Sequence, residues 1–217
     1  MRFYSLLFLL FTSSFCLANP TVKMETSEGN IEIEIFSDKT PITAKNFLKY
    51  VNADFYTGTV FHRVISTFMI QGGGYEMKGN DFKQKKPLHD PIQNEAKVGV
   101  AKGASNKRGY IAMARTRDPH SASSQFFINV VDNSKKGDTP YLDYPSFDKW
   151  GYAVFGKVTS GMKVVDKIRN AKIDTKVRKS FNVKGEAATL TSDVPLKTIT
   201  IKKMSIVPTP KPKKTKK

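Results

Sequence analysis

Cysteine is nearly missing from this chain: Cys16 is the single one in 217 residues. It sits in an N-terminal apolar segment, so the body of the protein has no thiol for a disulfide framework or a zinc site. Histidine is scarce as well. His62, His89 and His120 are scattered along the chain and, with no cysteine beside them, do not form a metal-ligand set. No metal or other cofactor is expected. Neither G-x-S-x-G nor H-E-x-x-H occurs, which removes those hydrolase signatures. Ser146-x-x-Lys149 and Ser160-x-x-Lys163 match a fragment of a penicillin-recognising pattern, but its companion motifs are missing and four-residue matches arise by chance. The glycines Gly72 to Gly74 have the wrong spacing for a dinucleotide fingerprint and lack the lysine and serine of a phosphate loop. Acidic residues are few: 19 against 36 lysines and arginines, a formal charge of +17. No basic helix or RNA-binding aromatic signature accompanies the lysines, so a specific nucleic-acid partner is not expected.

What remains suits one compact domain with a core large enough to need no staple. Residues 1–18 read as a secretory signal. Arg2 is the positive start, Leu6 to Phe11 the apolar stretch, and Cys16-Leu17-Ala18 a small-x-small cleavage pattern. The apolar stretch is too short for a membrane span. The domain proper is then 19–207. Residues 208–217 (P-T-P-K-P-K-K-T-K-K) carry no apolar side chain and read as a disordered basic tail. A solubilising role is the first reading of that tail, and attraction to an anionic envelope surface the second.

Along the domain, Asn30 to Phe36 alternates strictly, with Ile31, Ile33 and Ile35 on one face and Glu32 and Glu34 on the other, as a strand with one wet face does. Thr40-Pro41 starts a helix with threonine at the N-cap and proline at the first helical position, and Ile42, Phe47, Leu48 and Val51 as its apolar face. Gly72 to Pro91 reads as a long polar loop. Gly109 to Ala114, Gln125 to Val130 and Gly151 to Val158 read as strands, and Gly161 to Arg169 as a second helix. Ala171 to Val194 reads as a polar connection. Lys197 to Val207 closes the domain as a strand, with a bulge near Lys202-Lys203 because Ile199 and Ile201 have the opposite parity to Met204 and Ile206. Pattern alone yields a mainly-β domain.

Two stretches carry chemistry. Val60 to Gly74 crowds Arg63 among Phe61, Val64, Ile65, Phe68, Met69 and Ile70, then adds Gln71. A guanidinium set in so much apolar surface is expensive unless paired or used. Ile111 to Asn129 contains I-A-M-A-R-T and S-S-Q-F-F-I-N, with Gln125 in a second apolar run. With F-G-K-V at Phe155 to Val158, these blocks resemble the cyclophilins in content and order, and resemble the secreted bacterial branch most, over about Val22 to Val207.

That resemblance implies a closed eight-stranded antiparallel β-barrel capped by two α-helices, with a binding groove on its outside wall. It implies a peptidyl-prolyl cis-trans isomerase that takes proline-containing polypeptides, with the catalytic trio Arg63, Phe68 and Gln71. Met69, Ala114, Arg115, Gln125, Phe127, Tyr141, Leu142 and Tyr152 would bind the substrate. Phe127 is expected in the groove, with Phe126 and Ile128 inside the barrel. Tyr141 takes the place of a tryptophan linked to tight cyclosporin binding, which implies weak affinity for that ligand. Ser66-Thr67 replace a proline-glycine turn. A monomer located in the periplasm is expected, where newly exported chains meet prolyl isomerisation that otherwise takes tens of seconds or more.

Overall fold

In the computed structural model, residues 19–79, 81–136, 141–146, 148–174, 178–181, 187–190 and 193–208 are described. The expected leader, residues 1–18, and the tail beyond Pro208 lie outside them. The first half of the chain forms β1 (Thr21–Thr26), β2 (Gly29–Ile35), α1 (Pro41–Asn52), β3 (Arg63–Ile65), β4 (Met69–Gly72), β5 (Tyr75–Lys78) and β6 (Asp81–Gln84). There follow α2 (Ala96–Ala101), β7 (Tyr110–Met113), β8 (Phe126–Asn129), β9 (Val154–Ser160) and α3 (Met162–Arg169). The last part holds β10 (Ile173–Asp174), β11 (Arg178–Phe181), β12 (Ala187–Leu190), β13 (Val194–Pro195) and β14 (Ile201–Val207). No helix among the described residues is long and apolar enough to cross a membrane.

Eight strands form one curled antiparallel sheet in the order β14-β1-β2-β9-β7-β8-β4-β3. Its ends meet through the segment before β3: Val60 bridges Thr200, the Phe61 amide donates to the Ile199 carbonyl at 2.9 Å, and the Ile201 amide to that of Thr59 at 2.8 Å. The mainly-β, eight-stranded expectation is thus met, with the seam a short bridge rather than a full ladder. Ile31, Ile33 and Ile35 are fully buried, as their alternation requires. The expected bulge is present: Glu25 faces Lys203 and Thr26 faces Ile201, so Lys202 is unopposed and the parity of β14 flips there.

Three expectations are corrected. The helices number three among the described residues, because the segment after Glu95 winds into the short α2. Gly72 to Pro91 is not all loop: β5 and β6 form a hairpin in a second, four-stranded sheet, order β12-β11-β6-β5. The Ala171 to Val194 connection supplies β11 and β12 to that sheet and β10 to a pair with β13. Both segments were illegible because a small sheet away from the main core needs little apolar periodicity.

Helix α1 buries Phe47, Tyr50 and Val51 but leaves Ile42 44% exposed, so Ile42 is not part of its apolar face. Phe47 packs on Phe155 and Phe126 with ring centroids 4.8 and 5.9 Å apart. Thr40 and Pro41 hold the expected N-cap and first helical positions, but the Thr40 hydroxyl donates to the Val154 carbonyl instead of capping. Glu95 caps from a distance. Its buried carboxylate accepts from the Ile42 amide at 3.2 Å, the Thr43 amide at 2.8 Å and the Thr43 hydroxyl at 2.7 Å, a charged cap at the positive end of the helix dipole. This ties the start of α2 to α1.

Candidate active site

Strand parity builds the site. Residues paired across antiparallel strands project from the same face. Arg63 pairs with Gln71, Gln71 with Phe127, and Phe127 with Ala112, so one row crosses β3, β4, β8 and β7. Their neighbours Val64, Ile70, Phe126, Ile128 and Ile111 point the other way and fill the barrel. Outside, Met69, Ala112, Phe127, Leu142 and Val154 form a separate apolar cluster. Phe68, Ala114 and Tyr152 lie half-buried against it. The Tyr152 ring stands edge-on to Phe127 at 5.6 Å and 78°. Ser66 and Thr67 make the exposed turn between β3 and β4, closed by the Phe68 amide on the Ile65 carbonyl at 2.9 Å.

Arg63 stands at the edge of this apolar patch with its side chain 35% exposed. It donates no hydrogen bond to any described residue; its one charged neighbour in bridging range is Asp193, with Oδ2 3.6 Å from Nε. Nε itself is buried and has no hydrogen-bond acceptor. Beside it, Gln71 Nε2 donates to Gln125 Oε1 at 3.0 Å, which joins the two glutamines into one polar ridge. Gly74 makes room for that ridge, since a Cβ there would lie 2.3 Å from Gln125 Cγ. Gly73 adopts φ +80°, the left-handed region, and its missing Cβ clears the Phe126 ring. A cavity of about 190 Å³ opens beyond the ridge, lined by Gln71, Gln84, Ala114, Arg115, Ser121 and Gln125 among others.

Arg115 behaves differently from Arg63. Its side chain is 2% exposed and is consumed by the protein. Nε and Nη2 donate to the Gly151 carbonyl at 3.2 and 3.0 Å, Nη1 to that of Thr116 at 3.0 Å, and Nη2 also pairs with Asp148. The guanidinium stacks on Tyr152, 4.3 Å from the ring centroid. The residue as a whole is partly exposed, so what it shows to solvent is mainly backbone. Burial would raise the Asp148 carboxyl, but bonds from Ser146, Arg115 and the Trp150 and Gly151 amides outweigh it and hold it at about 2. Burial also raises the Tyr152 hydroxyl, with Arg115 pulling the other way. Tyr141 is half-buried at the start of the same loop.

The sequence reading missed the polar frame beneath the cluster. Asp143 accepts from the Asn106 amide at 2.7 Å, from its side chain at 2.9 Å and from the Ser105 hydroxyl at 2.6 Å. Asn129 donates to Asn106 at 3.2 Å and accepts from Asn133 at 2.7 Å; Asn133 also donates to the Phe68 carbonyl at 3.0 Å, and Asn106 to that of Tyr152 at 3.2 Å. Phe68, Leu142 and Tyr152 are thereby hung on one buried network whose members are costly to leave unpaired. The only signal was Asn129, a polar residue on a strand buried on both faces. Among the described residues no group of histidine, cysteine, aspartate or glutamate could hold a metal ion.

His62 precedes Arg63 and is buried, its ring 4.7 Å from that of Tyr75 and its Nδ1 without a partner. Burial, with the Arg63 charge adding to it, pushes the imidazole down to about 4 from its ordinary 6.5. The unfolded chain therefore binds the proton first. This histidine's contribution is fully present above about 6.5 and is lost as pH falls towards about 4, a difference on the order of 3 kcal/mol. Urea unfolding at about pH 7 and about pH 4.5 should show the loss in the wild type, and His62→Gln should flatten that part of the profile. Equal midpoints for the wild type at the two pH values would contradict this assignment.

With this geometry in hand, comparison with known proteins is direct. The sequence profile of the family "Cyclophilin type peptidyl-prolyl cis-trans isomerase/CLD" matches residues 21–206. The chain is 52% identical over 166 residues to the peptidyl-prolyl cis-trans isomerase of Acinetobacter baylyi, covering 76% of this chain and 80% of that one. It is 49% identical over 150 residues to peptidyl-prolyl cis-trans isomerase B of Escherichia coli, covering 68% and 83%. In fold it is similar to a Cryptosporidium parvum cyclophilin type isomerase crystallised in the presence of the dipeptide Ala-Pro, with TM-score 0.63 and 24% identity over 87% of this chain and 99% of that one. An outward apolar cluster edged by an arginine that donates to no described residue, and a profile match running almost from β1 to the end of β14, have one common explanation: the chain belongs to the cyclophilin family of peptidyl-prolyl cis-trans isomerases.

Proposed function

We propose that this isomerase works by aiming the Arg63 guanidinium at the imide nitrogen of an X-Pro bond while the apolar cluster holds the proline ring. The planar bond resists rotation by roughly 18–20 kcal/mol because nitrogen lends its lone pair to the carbonyl. At the perpendicular state that pair returns to nitrogen and accepts a hydrogen bond. A fixed donor there stabilises the twisted form above either planar one, which is what catalysis requires. Arginine suits the task because it stays protonated, so no proton moves and no covalent intermediate forms.

Phe68, Met69, Phe127 and Leu142 supply a dry wall that disfavours the more dipolar planar amide, and Ala114 and Tyr152 border it. The flanking peptide is held by the Gln71–Gln125 ridge and by the exposed backbone at Arg115. The observation that carries this reading is that Arg63 donates no hydrogen bond to any described residue and has Asp193 as its one described charged neighbour in bridging range, beside the cluster. A charge-assisted hydrogen bond contributes about 1.5–3 kcal/mol, so with desolvation a thousandfold acceleration, about 4 kcal/mol, is within reach.

The clients are read as freshly exported chains, on the strength of the leader pattern at residues 1–18. Protein recovered from the periplasm should begin at Asn19, and a protein that keeps its first eighteen residues in the cytosol would end that reading. In a protease-coupled assay on a proline tetrapeptide, Arg63→Ala should lower kcat/KM by about ten- to a hundredfold with the fold intact. A wild-type rate for that variant would favour a module that holds proline segments without turning them over. Cyclosporin titrated into the same assay should inhibit weakly, because Tyr141 takes the place of a tryptophan linked to tight binding; nanomolar inhibition would overturn the role given to Tyr141.

A further inference from the structure

We propose that Asp193 is the positioning residue for Arg63, and that the segment returning from the second sheet exists partly to deliver it. The inference rests on the role given to Arg63 above. Arg63 Nε–H is buried with no acceptor in bonding range, a costly state for a permanent cation. The Asp193 carboxylate faces it at 3.6 Å, too long for a hydrogen bond and close enough for direct electrostatic attraction. No other described carboxylate lies in bridging range of Arg63.

The Asp193 backbone is anchored. Its carbonyl accepts from the Val64 amide at 2.8 Å, on the residue next to Arg63. The following Val194 is 1% exposed and packs with Val60 and Phe82, the latter on β6 of the second sheet. Arginine and aspartate are therefore mounted on one frame, with the carboxylate on the Nε side of the guanidinium. The terminal N–H groups are left for the groove, and the attraction sets the direction in which they point.

Such a carboxylate does not touch the substrate, so it acts on the orientation of Arg63 in the twisted state rather than on ground-state binding. Lysine at position 63 has no Nε–H of this kind to orient, so the effect of Asp193 depends on the arginine.

The test is a double-mutant cycle on the full mature protein with a proline tetrapeptide: wild type, Asp193→Asn, Arg63→Lys and the pair, with Asp193→Glu as a fifth protein. Asp193→Asn should lower kcat by about tenfold with KM within about twofold, Asp193→Glu should recover part of the rate, and Asp193→Asn should change the Arg63→Lys rate less than about twofold. A wild-type kcat for Asp193→Asn overturns the proposal. So does a loss of equal size in the Arg63→Lys background, or a loss that follows a lowered urea midpoint and is absent once the proteins are compared fully folded. A wild-type rate for Arg63→Lys removes instead the reading of Arg63 on which the proposal stands.

Discussion

The antiparallel register that sets Arg63 beside Gln71, Gln71 beside Phe127 and Phe127 beside Ala112 is the constraint on which the rest depends. A slip of one residue in the β4–β8 pairing would turn Phe126 and Ile128 outward and Phe127 into the barrel. The barrel prevents this, because Phe126 is locked among Phe47, Tyr56 and Phe61 and has no room to leave. The core thus enforces the groove. The apolar residues that make the fold stable also decide which set of side chains faces outward.

Two arginines show how tertiary structure sorts chemically equal residues. Arg115 gives its donors to Gly151, Thr116 and Asp148 and stacks on Tyr152, so its side chain holds the loop that carries Leu142 and Tyr152. Arg63 gives its donors to no described residue and has a single carboxylate at its flank. The first cation is structural because it is buried and satisfied. The second is available because the acceptor nearest to it stops short of bonding distance. Beneath both, the Asn106–Asn129–Asn133–Asp143 network ties the wall of the outer cluster together.

Much of this was readable in the residues. Ile31, Ile33 and Ile35 announced a one-sided strand, the parity break at Lys202 announced a bulge, and four ordered blocks announced the family. Other features were not. Thr40 looks like a cap, yet Glu95 caps that helix from 52 residues away or more. The second sheet was hidden because its strands border no large core and so carry no strong alternation. Asp193 was invisible as a partner of Arg63, since the two are far apart in the chain and meet where Val64 bonds its carbonyl and Val194 packs with Val60 and Phe82.

What the sequence alone determined is the inventory and its local grammar: which segments alternate, where helices begin, and that an arginine, two glutamines and a set of aromatic and apolar residues occur in one family's order. Only the folded molecule decided which arginine spends its donors on the protein, which asparagines bear the loop and which carboxylate stands beside Arg63. The physical reason is that periodicity and capping are short-range properties of the chain. Whether a polar group is satisfied depends on atoms brought together across a hundred residues, and no local pattern records them.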